Sequence, residues 1–300
     1  MSLVGFDRVA QPSHIQLKRG ILRSLDLISY NLPSYIRSIV IKPNMCYYWD
    51  YSTGQTTDPK FVAALVDVIR DQISHDVSIS IVESDASAMK CKHAFRLLGY
   101  EKLSKHCNVK LVNLSEDMCN LVKVAVGNQL FRLMVPQTIQ NADLRINVTK
   151  LKYSLRNIKI TCALKNIFGC NPYPKKFRYH QKLVETIVAL NKIMKFDLSI
   201  VDGIIVSGVQ PCKLGMIMTS TDSVALDAAA AKIAGVNPRT IKYLQLAEKE
   251  GLGRTSFIPK GASLQYFRDR YPRKGVTTEM MGKAYSIITG LGLNKRLGLE

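Results

Sequence analysis

Acidic side chains are scarce in this chain: 23 Asp and Glu stand against 42 Lys and Arg, for a net charge of +19. That balance favours anionic partners, whether phosphorylated or carboxylated metabolites, nucleic acid or an acidic membrane, without choosing among them. Paired cysteines are also missing. The seven present, at positions 46, 91, 107, 119, 162, 170 and 212, are odd in number and widely separated, with no CxxC. No zinc ribbon or ferredoxin-type iron–sulfur cluster is therefore encoded locally, and no cofactor is specified. The five histidines, at 14, 75, 93, 106 and 180, show no ligand spacing. No apolar run approaches the length of a membrane span. The first thirty residues hold no continuous apolar core before a small-residue cleavage site. A P-loop, a Gly-x-Ser-x-Gly elbow and a dinucleotide fingerprint are all lacking. The cations are spread from Lys18-Arg19 through Lys175-Lys176 to Lys295-Arg296, with no dense arm and no RNA-binding signature. The expectation is a cytoplasmic protein with reduced thiols and no membrane span.

What is present reads as a globular α/β chain. With 47% hydrophobic and 22% charged residues over 300 positions, a substantial core is affordable. Ser38 to Ile41 is a short strand, stopped by Lys42-Pro43-Asn44. Asp58-Pro59 is a helix start, with Asp as cap and Pro in the first turn. Phe61, Leu65, Val68, Ile69 and Ile73 then recur at helical spacing. Val77 to Val82 is the next strand, ending in Glu83-Ser84-Asp85, and strand–helix–strand with a short return implies a parallel pair. A helix over Ala86 to Leu98, stopped by Gly99, and a strand over Val109 to Leu114 continue the alternation. Val122 to Val126 and Leu130 to Val135, joined at Gly127-Asn128, read as a β-hairpin. The fold class is therefore α/β: a mostly parallel sheet flanked by helices, with an antiparallel hairpin at one edge. An N-terminal extension (1–35), an α/β core (36–255) and a C-terminal basic helical segment (256–300) divide the chain. The last of these carries a helix over Thr278 to Thr289.

The chain is organised around residues 147 to 172, where a strand (Leu144 to Val148) is followed by a short helical pattern carrying Ile158, Cys162 and Leu164. Four cations, Lys150, Lys152, Arg156 and Lys159, leave one strand end with no acid among them. In an open sheet the carboxyl ends of parallel strands are where ligands bind, so the cluster is either an anion site or a solvated loop. Lys42, Asn44, Glu83, Lys150, Lys152 and Asp202 each follow an expected strand and converge if those strands are parallel neighbours. Lys165 and Asn166 reach the same place from the turn before Gly169. Crowded cations lower a lysine's affinity for its proton, which suits it to act as base or nucleophile. The candidate catalytic residues are thus Lys42, Lys165, Glu83 and Asp202. The candidate substrate-binding residues are Asn44, Lys150, Lys152, Asn166 and Asp227, with no metal ligand. Tyr179 to Lys195 reads as an amphipathic helix with Leu183, Ile187, Leu190 and Met194 on one face, and His180 as a surface residue of it. The loop Ile204 to Gly215 follows a short strand (Leu198 to Val201), and Met216 to Met218 reads as a further strand.

Several of these segments resemble a known family. The order Ile41-Lys-Pro-Asn44, Asn147-Val-Thr-Lys-Leu-Lys152 and Thr161-Cys-Ala-Leu-Lys-Asn-Ile-Phe-Gly169 is similar to that of domain of unknown function 362. So are Phe196-Asp-Leu-Ser-Ile-Val-Asp-Gly203, Thr221-Asp-Ser-Val-Ala-Leu-Asp227, Ala234-Gly235 and Leu246-Ala-Glu-Lys-Glu-Gly-Leu-Gly253. The resemblance implies an α/β fold and a prokaryotic source, with no settled activity. Many members of that family carry a fused ferredoxin module, which this chain lacks. Where they read Lys-x-Lys-Thr-His, this chain has Lys150-Leu-Lys-Tyr-Ser154, so a histidine is missing from the site. The basic motif order is also loosely similar to that of the lactate-racemase family, which adds a racemase or isomerase by analogy alone.

The leading expectation is a cytoplasmic enzyme, of a reaction class these residues do not specify, acting on a small anionic metabolite at the strand ends. A nucleic-acid-binding protein is the second. The third is a non-catalytic partner of an iron–sulfur assembly, with a ferredoxin as its partner. No oligomeric state is implied.

Overall fold

The computed structural model describes residues 1–73, 76–154 and 158–273. The expected helix over 278–289, Arg156, His75 and the Lys295-Arg296 pair lie outside the described residues. The chain opens with β1 (Ser2–Arg8), α1 (His14–Asp26), β2 (Ser38–Pro43), α2 (Pro59–Gln72) and β3 (Ser78–Glu83). It continues through α3 (Cys91–Leu97), α4 (Tyr100–Cys107), β4 (Lys110–Asn113), β5 (Cys119–Val126), β6 (Gln129–Pro136) and α5 (Gln137–Gln140). The central stretch supplies β7 (Leu144–Thr149), β8 (Lys152–Tyr153), β9 (Ile160–Thr161) and α6 (Ala163–Asn166). After it come α7 (Leu183–Ile193), β10 (Leu198–Val206), β11 (Cys212–Ser220), α8 (Ser223–Ile233), α9 (Lys242–Lys249), β12 (Phe257–Gly261) and α10 (Leu264–Arg270).

Among the described residues, eight strands form one sheet in the order β12-β1-β11-β10-β7-β2-β3-β4. Only the two pairings of β11, with β1 and with β10, are antiparallel; the rest are parallel. Parallel strands are covered on both faces, and these are apolar in both directions. Ile39, Ile41, Ile79, Ile81, Ile146 and Val148 pack under α1 to α4, with Phe61, Leu65, Val68 and Ile69 of α2 above them. Val40, Val82, Val201, Met216 and Met218 face the other way, toward Ile187 of α7, Val224 of α8 and Leu244 of α9. Each such side chain contributes about 1.5–3 kcal/mol on full burial. The hairpin β5–β6 is a two-stranded sheet of its own. No helix among the described residues is long and apolar enough to cross a membrane.

The local signals act through identifiable contacts. The Asp58 side chain accepts from Lys60 N at the start of α2, and Asp222 accepts from Val224 N and Ala225 N at the start of α8. Boundaries moved where tertiary contacts intervened. The helix expected from Ala86 begins at Cys91, because Asp85 accepts the Cys91 N–H and 86–89 closes as a turn. The amphipathic pattern from Tyr179 becomes α-helical only at Leu183, after a 3₁₀ stretch over Lys176–Lys182. The short helix expected to carry Ile158, Cys162 and Leu164 is instead β9 followed by α6, which starts at Ala163. Asp202-Gly203 does not end a strand either. It lies inside β10, and Gly203 is there for closeness, since a Cβ would sit 2.8 Å from the Met216 carbonyl. Residues 1–8 and 257–261, outside the expected core, supply β1 and β12 of the main sheet.

Candidate functional site

Strand β2 passes the chain to β3 on one side, whereas its other neighbour, β7, passes it to β10. This reversal opens a crevice beyond the carboxyl ends of β2 and β7, as doubly wound sheets do. A cavity of about 860 Å³ occupies it. Among the described residues, five lysines line it: Lys42 from β2, Lys150 just past the end of β7, Lys152 from β8, Lys165 from α6 and Lys176. Glu83, Asn44 and Asn166 line it too.

Two of the five lysines are neutralised by acids. Lys42 Nζ lies 2.8 Å from Glu83 Oε2, with both side chains buried, at 1% and 3% exposure. Burying two charges is costly unless their remaining valences are met. Here Lys42 also donates to Pro43 O at 2.7 Å, and Glu83 Oε1 accepts from Ser84 N at 2.9 Å. Gly169 packs onto this pair so closely that a Cβ would fall 2.9 Å from Lys42 Nζ. Lys150 Nζ donates to Ile205 O at 2.6 Å and lies 3.3 Å from Asp202 Oδ2. Asp202 is thus a mid-strand counter-ion beneath Lys150 and does not line the cavity.

The other three lysines have no carboxylate partner among the described residues. Lys152 Nζ donates to Asn44 Oδ1 at 2.7 Å and to Gln55 O at 3.0 Å. Lys176 Nζ donates to Ser84 Oγ, which in turn donates to Gly169 O. Lys165 Nζ stands 4.0 Å above the Phe168 ring and has no hydrogen bond or ion pair among the described residues. Burial lowers the pKa of all three lysines. For Lys165 it acts together with the ammonium groups of Lys152, Lys176 and Lys42, and the amine comes down to about 7.

Asparagines hold these groups in register. Asn44 Nδ2 donates to Asn166 Oδ1 at 2.9 Å, and Asn166 Nδ2 donates to Asn147 Oδ1 at 2.8 Å and Lys42 O at 3.2 Å. Asn147 Nδ2 donates to Ala163 O at 3.0 Å, so β2, β7 and α6 are tied by one buried chain. Such a chain is strong only when every member is satisfied, which it is here.

Asp227 lies elsewhere. It is fully buried on α8, accepts from Ala163 N at 2.6 Å and Leu164 N at 3.3 Å, and does not line the cavity. Its part is to anchor the start of α6, which carries Lys165 and Asn166. Burial raises its carboxyl from 3.8 to about 7. The folded chain therefore holds this proton more tightly than the unfolded one. The resulting stability is complete below pH 3.8 and lost as pH rises through 7. Asp227→Asn is expected to flatten a fall of roughly 2–4 kcal/mol between pH 4 and pH 8, read by denaturant unfolding at each pH.

His180, half-buried in the 3₁₀ stretch over Lys176–Lys182, lines the cavity beside Phe168, with ring centroids 6.1 Å apart. Ser154, where the resemblance led us to expect histidine, lines it as well. Lys159, with φ +63°, does not. Sequence reading missed Lys176, Ser84 and Phe168. A basic Lys175-Lys176 pair with no acid nearby was the only local signal for the first. Ser84 stood at a strand exit already noted for Glu83. Among the described residues, no group of three or more His, Cys, Asp or Glu is placed to hold a metal.

The sequence matches the family described as Domain of unknown function (DUF362) over residues 39–232. Over 137 residues it is 32% identical to a thylakoid-associated protein of Synechocystis sp.. That alignment covers 41% of this chain, which spans 42% of the relative's length. Among solved structures, the lactate racemase apoprotein from Thermoanaerobacterium thermosaccharolyticum superposes with a TM-score of 0.49 at 12% identity. It covers 79% of this chain and 58% of that one, and at that score it carries no argument about residues or reaction.

Proposed function

This chain belongs to the DUF362 family, and from that premise we propose that it is an enzyme acting on a small anionic metabolite, phosphate- or carboxylate-bearing, in the β2/β7 crevice. The observation that carries this reading is the imbalance inside the cavity: of its five lysines, Lys152, Lys165 and Lys176 have no carboxylate counter-ion among the described residues. Buried cations without counter-ions are unfavourable, and a bound anion relieves them. Lys152 and Lys176 bind the anion. Lys42 and Lys150, occupied by Glu83 and Asp202, set the geometry and the field. Lys165, its amine brought down to about 7, is the reactive group, as base or nucleophile. Lys42, Lys150, Lys152 and Lys176 are all less than 10% exposed, so they meet a ligand that enters the cavity rather than a polymer lying across it.

Phosphate and small carboxylates are expected to raise the melting temperature beyond chloride at equal ionic strength. Saturation at 100 times Kd corresponds to about 2.7 kcal/mol. Lys152→Met removes a charge-assisted contact and should weaken binding by roughly ten- to a hundredfold. A carboxylate whose own charge is constant should bind several-fold less tightly at pH 8 than at pH 6, as Lys165 loses its proton. Absence of any anion-specific stabilisation would remove the proposal.

The overall charge of +19 favours a second reading, a nucleic-acid-binding protein. That reading expects affinity falling steeply with salt. Flat salt dependence, or no retention on a polyanion, would dispose of it.

A further inference from the structure

The five lysines are not equivalent as nucleophiles. Lys42 and Lys150 are held by carboxylates, Lys152 by Asn44 and Gln55, and Lys176 by Ser84. Lys165 alone presents its Nζ to the cavity with no hydrogen-bond acceptor among the described residues, 4.0 Å from the centroid of the Phe168 ring. A nucleophilic amine needs a free lone pair, and desolvation beside other cations is a known way to expose one. Resting on the anion-binding reading above, we propose that the substrate is a small 2-oxo acid and that Lys165 forms an iminium with its carbonyl carbon, while Lys152 and Lys176 hold its carboxylate.

The step is balanced within these parts. Lys165 Nζ, as free amine, adds to the carbonyl carbon. The carbinolamine then loses its hydroxyl as water, using one proton drawn from solvent, and leaves a protonated C=N bond. No electrons are exchanged and no further reactant is required. The iminium keeps a single positive charge, so the Phe168 ring that faces the ammonium still faces a cation in the product. That charge also withdraws electrons from the adjacent carbon, which fits the cavity for proton removal or carbon–carbon bond cleavage next to the former carbonyl.

The groups facing Lys165 are the ammonium groups of Lys152, Lys176 and Lys42, together with the Cys46 thiol. With its amine near 7, Lys165 has a free-base fraction at pH 7 on the order of 10³ times that of an ordinary lysine. The test uses the full chain, pyruvate and glyoxylate as probes, and cyanoborohydride to reduce any iminium, followed by peptide mass mapping. The expected result is one adduct per chain, on Lys165, with a mass gain of the oxo acid less one oxygen atom. The pH profile of trapping should rise through about 7. Lys165→Arg should abolish the adduct, whereas exposed Lys232→Arg should leave it intact. Labelling spread over surface lysines, or no Lys165 adduct with either probe, overturns the inference. Thermal stabilisation by pyruvate, measured without reductant, separates the two failures. Stabilisation without an adduct refutes the iminium and leaves the anion site standing. Neither stabilisation nor adduct, together with silence toward phosphate, refutes both.

Discussion

Glu83→Ala is expected to destabilise the chain by roughly 3–5 kcal/mol, because it strands the Lys42 ammonium in a buried setting without its counter-ion. Glu83 and Lys42 lie 2.8 Å apart on neighbouring strands, both nearly inaccessible. Glu83 also receives the Ser84 N–H, so its loss orphans two donors at once. Lys42→Met should cost a comparable amount, since an unpaired buried carboxylate is no easier to keep. The double variant Lys42→Met/Glu83→Leu should cost markedly less than the two single effects added together. Replacing a buried pair with apolar groups of similar volume is often close to neutral. Urea unfolding of all four proteins, analysed as a double-mutant cycle, measures this coupling. Single variants within about 1 kcal/mol of wild type would mean that the pair is hydrated, and the strand ends would then not enclose a dry crevice.

Gly54→Ala should be almost as damaging, at roughly 2–5 kcal/mol, from overpacking and left-handed backbone strain together. Gly54 has φ +71°, and a Cβ there would fall 2.3 Å from Ser207 N and from the Val206 carbonyl carbon. Both neighbours are backbone, so neither can turn aside. The following residue, Gln55, offers its carbonyl to Lys152 at 3.0 Å. Any shift of this loop therefore also disturbs a cationic group of the cavity. Gly127→Ala is the control: it has φ +54° in the β5–β6 turn, but nothing within 4 Å of its Cβ position. It should lose only the conformational part, about 1–2 kcal/mol, with anion affinity unchanged. Equal effects at the two positions, compared by unfolding and by phosphate-induced shifts in melting temperature, would show that the close approach of Gly54 to β10 carries no weight.

The proposed anion binding acts on the same elements. The ligand would supply negative charge to Lys152, Lys165 and Lys176, tightening α6 and the 3₁₀ stretch over Lys176–Lys182 against the strand ends. The Asp227 carboxyl, which fixes α6 from the far side, does not line the cavity. Asp227→Asn should consequently change the pH dependence of stability more than it changes anion affinity.

Much of this was written locally. The cap at Asp58, the stop at Gly99, the hairpin at Gly127-Asn128 and the Lys42, Asn44 and Glu83 strand exits follow from periodicity and turn chemistry, which act over a few residues. The α/β class followed from the alternation of those segments. What local chemistry could not decide was which cations are compensated. Lys42 meets its acid 41 residues away, Lys152 its asparagine 108 away, and Lys176 its serine 92 away. Pattern alone put Asp202 at a strand exit and Asp227 beside the substrate, yet one is a mid-strand counter-ion and the other a buried anchor. A side chain's charge state depends on the groups within a few ångströms of it and on the water excluded around it. Both are set by which strands become neighbours, so the distinction between a free lysine and a neutralised one exists only once the sheet is assembled.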